Sequence, residues 1–346
     1  MKSKPVFTAP VASALLGALT LTALGGLAGC APAPAPGRAG TDGSRASGMP
    51  APAGSVDLGQ WITSFTDRVT QDGHYRVPTP GERRAVADGV RLLLDGDPSG
   101  AERKLATVGY GLRTLADRAG GRRYAEIADA TKDGEATRGW GRVYVALGGP
   151  ARWAVQVPHP TADQRTEQLG VGLLRGAPGG VLVLAGAHRA AAATAPRTEG
   201  DGTPSDAPAD GDAADVAHRA DSVFAAVSDA LADRRLPAVQ VHGFADSSLP
   251  DHDVVVSPGK GDAGLPDARR LSAALRREDL RACEVWQRYC GRLEGRTNVE
   301  GDYADTVGVP FLHVEHSRRV RADDQLLASA VRALTDVVKR WAAGRT

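Results

Sequence analysis

The chain has 346 residues and sets 42 Lys plus Arg against 41 Asp plus Glu, a formal net charge of +1. No basic block stands out, which argues against nucleic acid as a partner. Only three cysteines are present, so a cysteine-rich scaffold is excluded as well.

The chain opens with Lys2 and Lys4, then an apolar run rich in Ala, Leu and Gly that closes on "LGGLAGC". A basic start, a short apolar stretch and small residues at its end describe an export signal over residues 1–29. "LAGC" resembles the bacterial lipobox, which implies Cys30 as a lipidated first residue and a chain held at the outer face of the cell membrane. Residues 30–55, rich in Ala, Pro and Gly, cannot bury a core and are expected to be a tether.

From 56 to 110 the pattern is helical: Leu58, Trp61, Ile62, Phe65 and Val69 recur at i, i+3, i+4 spacing, and a second helix is expected near Pro80. The stretches "YGLRTLAD", "RYAEIADA", "GRVYVALG" and "RWAVQVPHP" read as strands separated by Gly-rich turns, as hairpins require. Beyond them helix and strand alternate. A helix through "TEQLGVGLLRG" precedes "GGVLVLAGAHR", an apolar run of the kind buried inside a sheet. An acidic Pro/Gly-rich insertion at about 194–213 is expected to be disordered. "LPAVQVHGF", "DVVVSPG" and "VPFLHVE" are further strands, and an amphipathic helix ends the chain. The alternation predicts, over 111–346, an α/β three-layer sandwich with a mixed, largely parallel central sheet, preceded by the small helical segment. Cys283 and Cys290 remain as a pair, which outside the cell favours a disulfide.

In open α/β sheets the ligand crevice lies at the carboxyl ends of the strands. His159, His188 and His242 each follow an apolar strand, and "FLHVEHSRR" places Glu315 near the same edge. A hydrolytic zinc ion takes three protein ligands from His, Asp and Glu and keeps one position open. His159 and His242 supply two nitrogens. If a helix starts just after Pro160, Asp163 and Glu167 lie one turn apart and either can be the oxygen ligand, Asp163 being nearer to His159. Arg189, next to His188, matches a substrate carboxylate, and Arg296 is placed to help polarise a carbonyl. His218 reads as a residue that caps or orients a loop. His313 and His316 flank Glu315 and are expected on the face opposite to it. No G-x-S-x-G elbow and no Walker spacing are present.

"VPHPTADQRTEQLG", "VQVHGF", "DVVVSPG" and "NVEGDYADTVGVPFLHVEHSRRVR" appear in an order that resembles the zinc-dependent amidohydrolases related to N-formylglutamate amidohydrolase and poly-γ-glutamate hydrolase. Those enzymes share a core with zinc carboxypeptidases and aspartoacylase. The resemblance spans Trp153 to Arg321 as separated short motifs. It implies His159, Asp163 or Glu167, and His242 as zinc ligands, Glu315 as general base, and Asn298 and Arg321 near the substrate. The expected function is a lipid-anchored amidohydrolase or peptidase that acts on a small peptide or an acylated amino acid. The alternative is an envelope lipoprotein that keeps the hydrolase scaffold for binding.

Overall fold

The computed structural model describes residues 54–194 and 213–344. The expected export signal, Cys30, nearly all of the tether and the insertion lie outside these residues. In chain order the elements are β1 (Ser55–Val56), α1 (Leu58–Thr66), β2 (His74–Arg76), α2 (Pro80–Leu94), α3 (Pro98–Ala106), β3 (Tyr110–Asp117) and β4 (Arg123–Asp129). There follow α4 (Gly134–Arg138), β5 (Arg142–Ala146), β6 (Trp153–Val157), α5 (Thr166–Gly176), β7 (Gly180–Leu184), β8 (Ala192–Thr194), α6 (Val223–Asp233) and β9 (Ala238–Phe244). The chain continues through β10 (Val254–Ser257), α7 (Leu265–Arg277), β11 (Ala282–Glu284), α8 (Val299–Thr306), β12 (Phe311–Ser317), α9 (Arg318–Ala322) and α10 (Asp324–Ala342).

Ten strands form one sheet in the order β1-β3-β4-β5-β7-β6-β9-β12-β10-β11. Its centre, β7-β6-β9-β12, is parallel, and the meander β3-β4-β5 makes one side antiparallel. The sheet is thus mixed, with helices on both faces. One face packs Leu58 and Ile62 of α1, Leu169 and Leu173 of α5, Leu271 of α7 and Leu334 of α10 against Val155, Leu182, Val239 and Val314. The other packs Val86 and Val90 of α2, Leu105 of α3, Phe224 and Val227 of α6 and Ala304 of α8 against Ala154, Val181 and Ala238. Burial on both faces explains the near-continuous apolar runs of the central strands.

The helical segment is tied to this sheet. β1 pairs in parallel with β3, and the backbone N–H of Leu58 donates to Asp117 Oδ1 of β3 at 3.0 Å. The second helix does begin at Pro80, with Thr79 and Glu82 closing a reciprocal capping box. One strand expectation is corrected. β6 does not form a hairpin with β5; it lies between β7 and β9, parallel to both. The turn after β5 passes over the position that β7 fills, and α5 is the crossover that parallel pairing needs.

Because β6, β9 and β12 run in parallel, their carboxyl ends open on the same side. In register, Gln156 faces Gln240, Gln240 faces His313, and His242 faces Glu315. The rest of that strand face is apolar, with Ala154, Ala238 and Phe311 in the second core. The sheet therefore carries a polar strip that leads to its carboxyl edge.

Candidate metal centre

β6 stops at Val157, and Pro158 and Pro160 bracket His159, which lies at the strand end only 2% exposed. Proline cannot extend the ladder, so the chain leaves the sheet there. The N–H of Asp163 then donates to the His159 carbonyl at 2.8 Å, and Arg165 takes a left-handed φ of 69° before α5 starts at Thr166. This turn folds Asp163 back over the strand end. Asp163 Oδ2 lies 3.4 Å from His159 Nδ1 and 3.5 Å from Nδ1 of His242, which comes from β9. The two rings stand edge to face with centroids 5.1 Å apart.

Donors on a tetrahedron about 2.1 Å from its centre are about 3.4 Å apart. The Asp163 carboxylate keeps that spacing to both imidazoles. Among the described residues, His159, Asp163 and His242 are the one His/Cys/Asp/Glu group whose donor atoms converge in this way, all within 4.8 Å of one another. His159 Nδ1 is buried and has no hydrogen-bond partner, while its Nε2 contacts Asp215 Oδ1 at 2.7 Å. A nitrogen shut away from water with no partner is costly unless something takes its lone pair. The residues present fit a divalent cation.

The packing sets the charge preferences of the three groups. Burial opposes charge on His159, yet Asp163 and Asp215 outweigh it and lift its pKa to about 9. Burial and the neighbouring His313 push His242 down to about 4. Desolvation works against the Asp163 anion, but His159 and His242 hold its pKa well below the usual carboxylate range.

Glu167, the alternative oxygen ligand, is excluded from the group. It lies in the first turn of α5, its Oε1 3.4 Å from Gln168 Nε2, and it lines a separate cavity with Thr63, Thr66 and Asp67. The helix starts six residues after Pro160 rather than at once, so Asp163 and Glu167 share no helical face.

The three donors sit in a cavity of about 710 Å³ that also exposes Glu315, Asn298, Arg189, Arg296 and Tyr289. Glu315 is 8% exposed, and its Oε2 is buried without a partner. His313 lies on the Glu315 face, not opposite: its Nε2 is 3.5 Å from Glu315 Oε1, as the two-residue period of a strand requires. His316 does face the other way, its Nδ1 3.2 Å from the His242 carbonyl oxygen.

The expected substrate contacts divide. Arg189 is at the cavity rim and pairs with Asp215 at 2.8 Å. Arg296 is also at the rim, paired with Glu294 at 2.7 Å. Asn298 lines the cavity, but its amide nitrogen turns inward to Gln240 Oε1. Arg321 is corrected. It is 4% exposed, and its guanidinium donates to the carbonyls of His316, Gln164 and Phe244. Packed against Gly243, where no Cβ would fit, it braces the strand ends and does not reach the cavity. His188 lines two neighbouring cavities instead, and its Nδ1 accepts from the N–H of Ala190.

Asp215 is the functional residue that sequence reasoning missed. It follows the insertion, 56 residues after His159, and His218 Nδ1 lies 3.3 Å from its other oxygen. A carboxylate behind a ligating imidazole fixes the ring and its tautomer. The signal available was the acid three residues before His218 in "DVAH".

Cys283 and Cys290 form a disulfide. It joins β11 to the rim loop and packs with Phe244 and Val255 in a small core of its own.

No family model matches the chain, and no curated protein does. Solved structures do match. N-formylglutamate amidohydrolase from Ralstonia eutropha JMP134 is 16% identical, with a TM-score of 0.38 over 58% of this chain and 97% of that one. A bacteriophage poly-gamma-glutamate hydrolase is 12% identical, with a TM-score of 0.31 over 58% of this chain and 87% of that one. A metallo-carboxypeptidase from Burkholderia cenocepacia is 14% identical, with a TM-score of 0.33 over 75% and 69%. The structures similar to this chain are thus of the amidohydrolase and carboxypeptidase kind that its motifs resemble, and at such distances function rests on the site itself.

Proposed function

We propose that the chain is a zinc-dependent hydrolase that cleaves an amide bond, tethered through lipid on Cys30 at the outer face of the membrane. The observation that carries this reading is the convergence of His159, His242 and Asp163, the carboxylate 3.4 and 3.5 Å from the two Nδ1 atoms and all three donors within 4.8 Å of one another, in the same cavity as Glu315. When bound there, zinc supplies Lewis acidity that polarises a carbonyl and makes water a stronger acid.

The chain's own residues do the rest. Glu315 stands in register with His242 on the adjacent parallel strand, and its buried Oε2 is free to accept a proton from the attacking water. The same carboxyl then returns that proton to the leaving nitrogen, as a general base turned general acid. Asp215, 2.7 Å from His159 Nε2, takes the hydrogen of that nitrogen and leaves Nδ1 for the point shared with Asp163 and His242. Arg189 and Arg296, paired with Asp215 and Glu294, put guanidinium N–H donors at the mouth, which suits the carboxylates of a small peptide or an acylated amino acid.

The test is metal content and hydrolysis together. Purified wild-type protein is expected to hold about one zinc per chain and His242→Ala to lose it; stoichiometric zinc in that variant refutes the site. Glu315→Gln is expected to keep zinc and lose turnover on a panel of acylated amino acids and short peptides. Unimpaired function of Glu315→Gln in cells would favour binding over catalysis.

A further inference from the structure

Beneath the metal centre lie three buried side chains that the proposed reaction does not use. Gln156 of β6 is 3% exposed, Gln240 of β9 is 0% exposed, and Glu300 in the first turn of α8 is 2% exposed. A carboxamide offers two N–H donors and two lone pairs. In Gln240 all four are matched. Its Nε2 donates to Gln156 Oε1 and to Glu300 Oε2, both at 3.0 Å. Its Oε1 accepts from Asn298 Nδ2 and lies 2.8 Å from His242 Nε2.

This matching leaves the amide one orientation. Turned over, its N–H₂ would face the Asn298 amide nitrogen, and its oxygen would face two acceptors. The Gln240 Oε1 contact at 2.8 Å is shorter than that of Nε2 with Asn298 Nδ2 at 3.3 Å or of Nδ1 with Asp163 Oδ2 at 3.5 Å, and an amide oxygen can only accept, so the geometry favours the hydrogen on His242 Nε2. The lone pair of that ring then lies on Nδ1, the atom that faces Asp163.

We infer that Gln240, locked by Gln156 and Glu300, is the positioning residue that sets the Nε2–H tautomer of His242 and so presents Nδ1 to the metal. The inference rests on His242 being a ligand. The two histidines of one centre are then oriented by different chemistry, His159 by the carboxylate of Asp215 and His242 by a neutral amide. Glu300 suits this task. It is buried in the first turn of α8, burial raises its pKa to about 8, and its Oε2 accepts from Gln240 at 3.0 Å.

The experiment is a long-range proton–nitrogen correlation spectrum of metal-free protein labelled with ¹⁵N-histidine, His242 being assigned by its loss in His242→Gln. Wild type is expected to show His242 as the Nε2–H tautomer; an Nδ1–H tautomer overturns the inference. Gln240→Leu is expected to mix the tautomers and to weaken zinc binding roughly 10–100-fold in competition with a chromophoric chelator. Glu300→Leu is expected to weaken binding, and Glu300→Gln, which keeps an acceptor, to restore it. A folded Gln240→Leu protein with the wild-type tautomer and affinity overturns the inference. Zinc bound by a wild-type protein in the wrong tautomer sinks this inference alone. The right tautomer in a protein that binds no zinc sinks the metal reading and leaves the lock standing.

Discussion

Reduction of the Cys283–Cys290 disulfide separates the rim of the cavity from its floor. The bond closes a loop with a sequence separation of 7, and the chain from Tyr289 to Asn298 supplies much of the cavity wall. The metal donors come from elsewhere, the turn after β6 and the end of β9. Cross-linking a loop of about eight residues removes unfolded-state entropy worth about 2.5 kcal/mol at 25 °C. That is a loss of roughly 70-fold in the folding equilibrium, and about 4 °C in melting temperature for a chain of this size. Both sulfurs are buried, at 1% and 0% exposure, so Cys283→Ala/Cys290→Ala is the better pair of substitutions than serine, which would bury two hydroxyls. Urea unfolding of the oxidised protein, the reduced protein and the double variant measures the change, and zinc affinity is followed in the same samples. Stability is expected to fall while zinc affinity stays within about threefold, because no donor lies on the loop. Unchanged stability on full reduction would refute the entropic argument, and a collapse of zinc affinity would refute the independence of rim and floor.

Other expected outcomes test other parts of the structure. Asp215→Ala is expected to weaken zinc binding roughly 10–100-fold by releasing the His159 ring; an unchanged chelator titration would remove Asp215 from the site. Arg321→Met leaves three carbonyls short of a buried donor and is expected to cost about 2–4 kcal/mol in urea unfolding. A fully stable Arg321→Met protein with impaired substrate affinity would return that residue to the cavity. Acid sensitivity is predicted at Asp117, where burial opposes ionisation but Arg175 and the backbone N–H of Leu58 outweigh it and hold the pKa at about 2, below the ordinary 3.8. A depressed carboxyl stabilises the fold fully above its unfolded pKa and loses that contribution as pH falls through the folded value. Stability is therefore expected to drop between about pH 4.5 and pH 2, and Asp117→Asn to lack about 1–2 kcal/mol of that drop. An identical pH profile in the variant would show that the Arg175 pair does not matter.

His159 and His242 were legible as candidates because each follows an apolar strand in a pattern that predicts buried parallel pairing. Glu315 was legible in the same way. The choice between Asp163 and Glu167 was not, because it turned on where α5 begins, and the left-handed Arg165 that delays the helix carries no glycine to announce it. Arg321 was placed near the substrate by the resemblance alone, and in sequence an arginine after a polar strand end reads the same whether it faces out or in. Only the three carbonyls around it distinguish the two.

Local pattern alone determined the alternation of strand and helix, the mixed sheet between two helical layers, and the strand ends at which polar residues gather. These follow from periodicity and burial, which are written along the chain. Tertiary structure alone decided that β6 lies between β7 and β9, that Asp215 stands behind His159, and that Gln156, Gln240 and Glu300 meet below His242. Register between parallel strands joins Gln156 and Gln240, 84 positions apart, and the packing of α8 brings Glu300 to Gln240 across 60. No local propensity encodes such a meeting, because it exists only once the intervening helices have packed and brought the strand ends together.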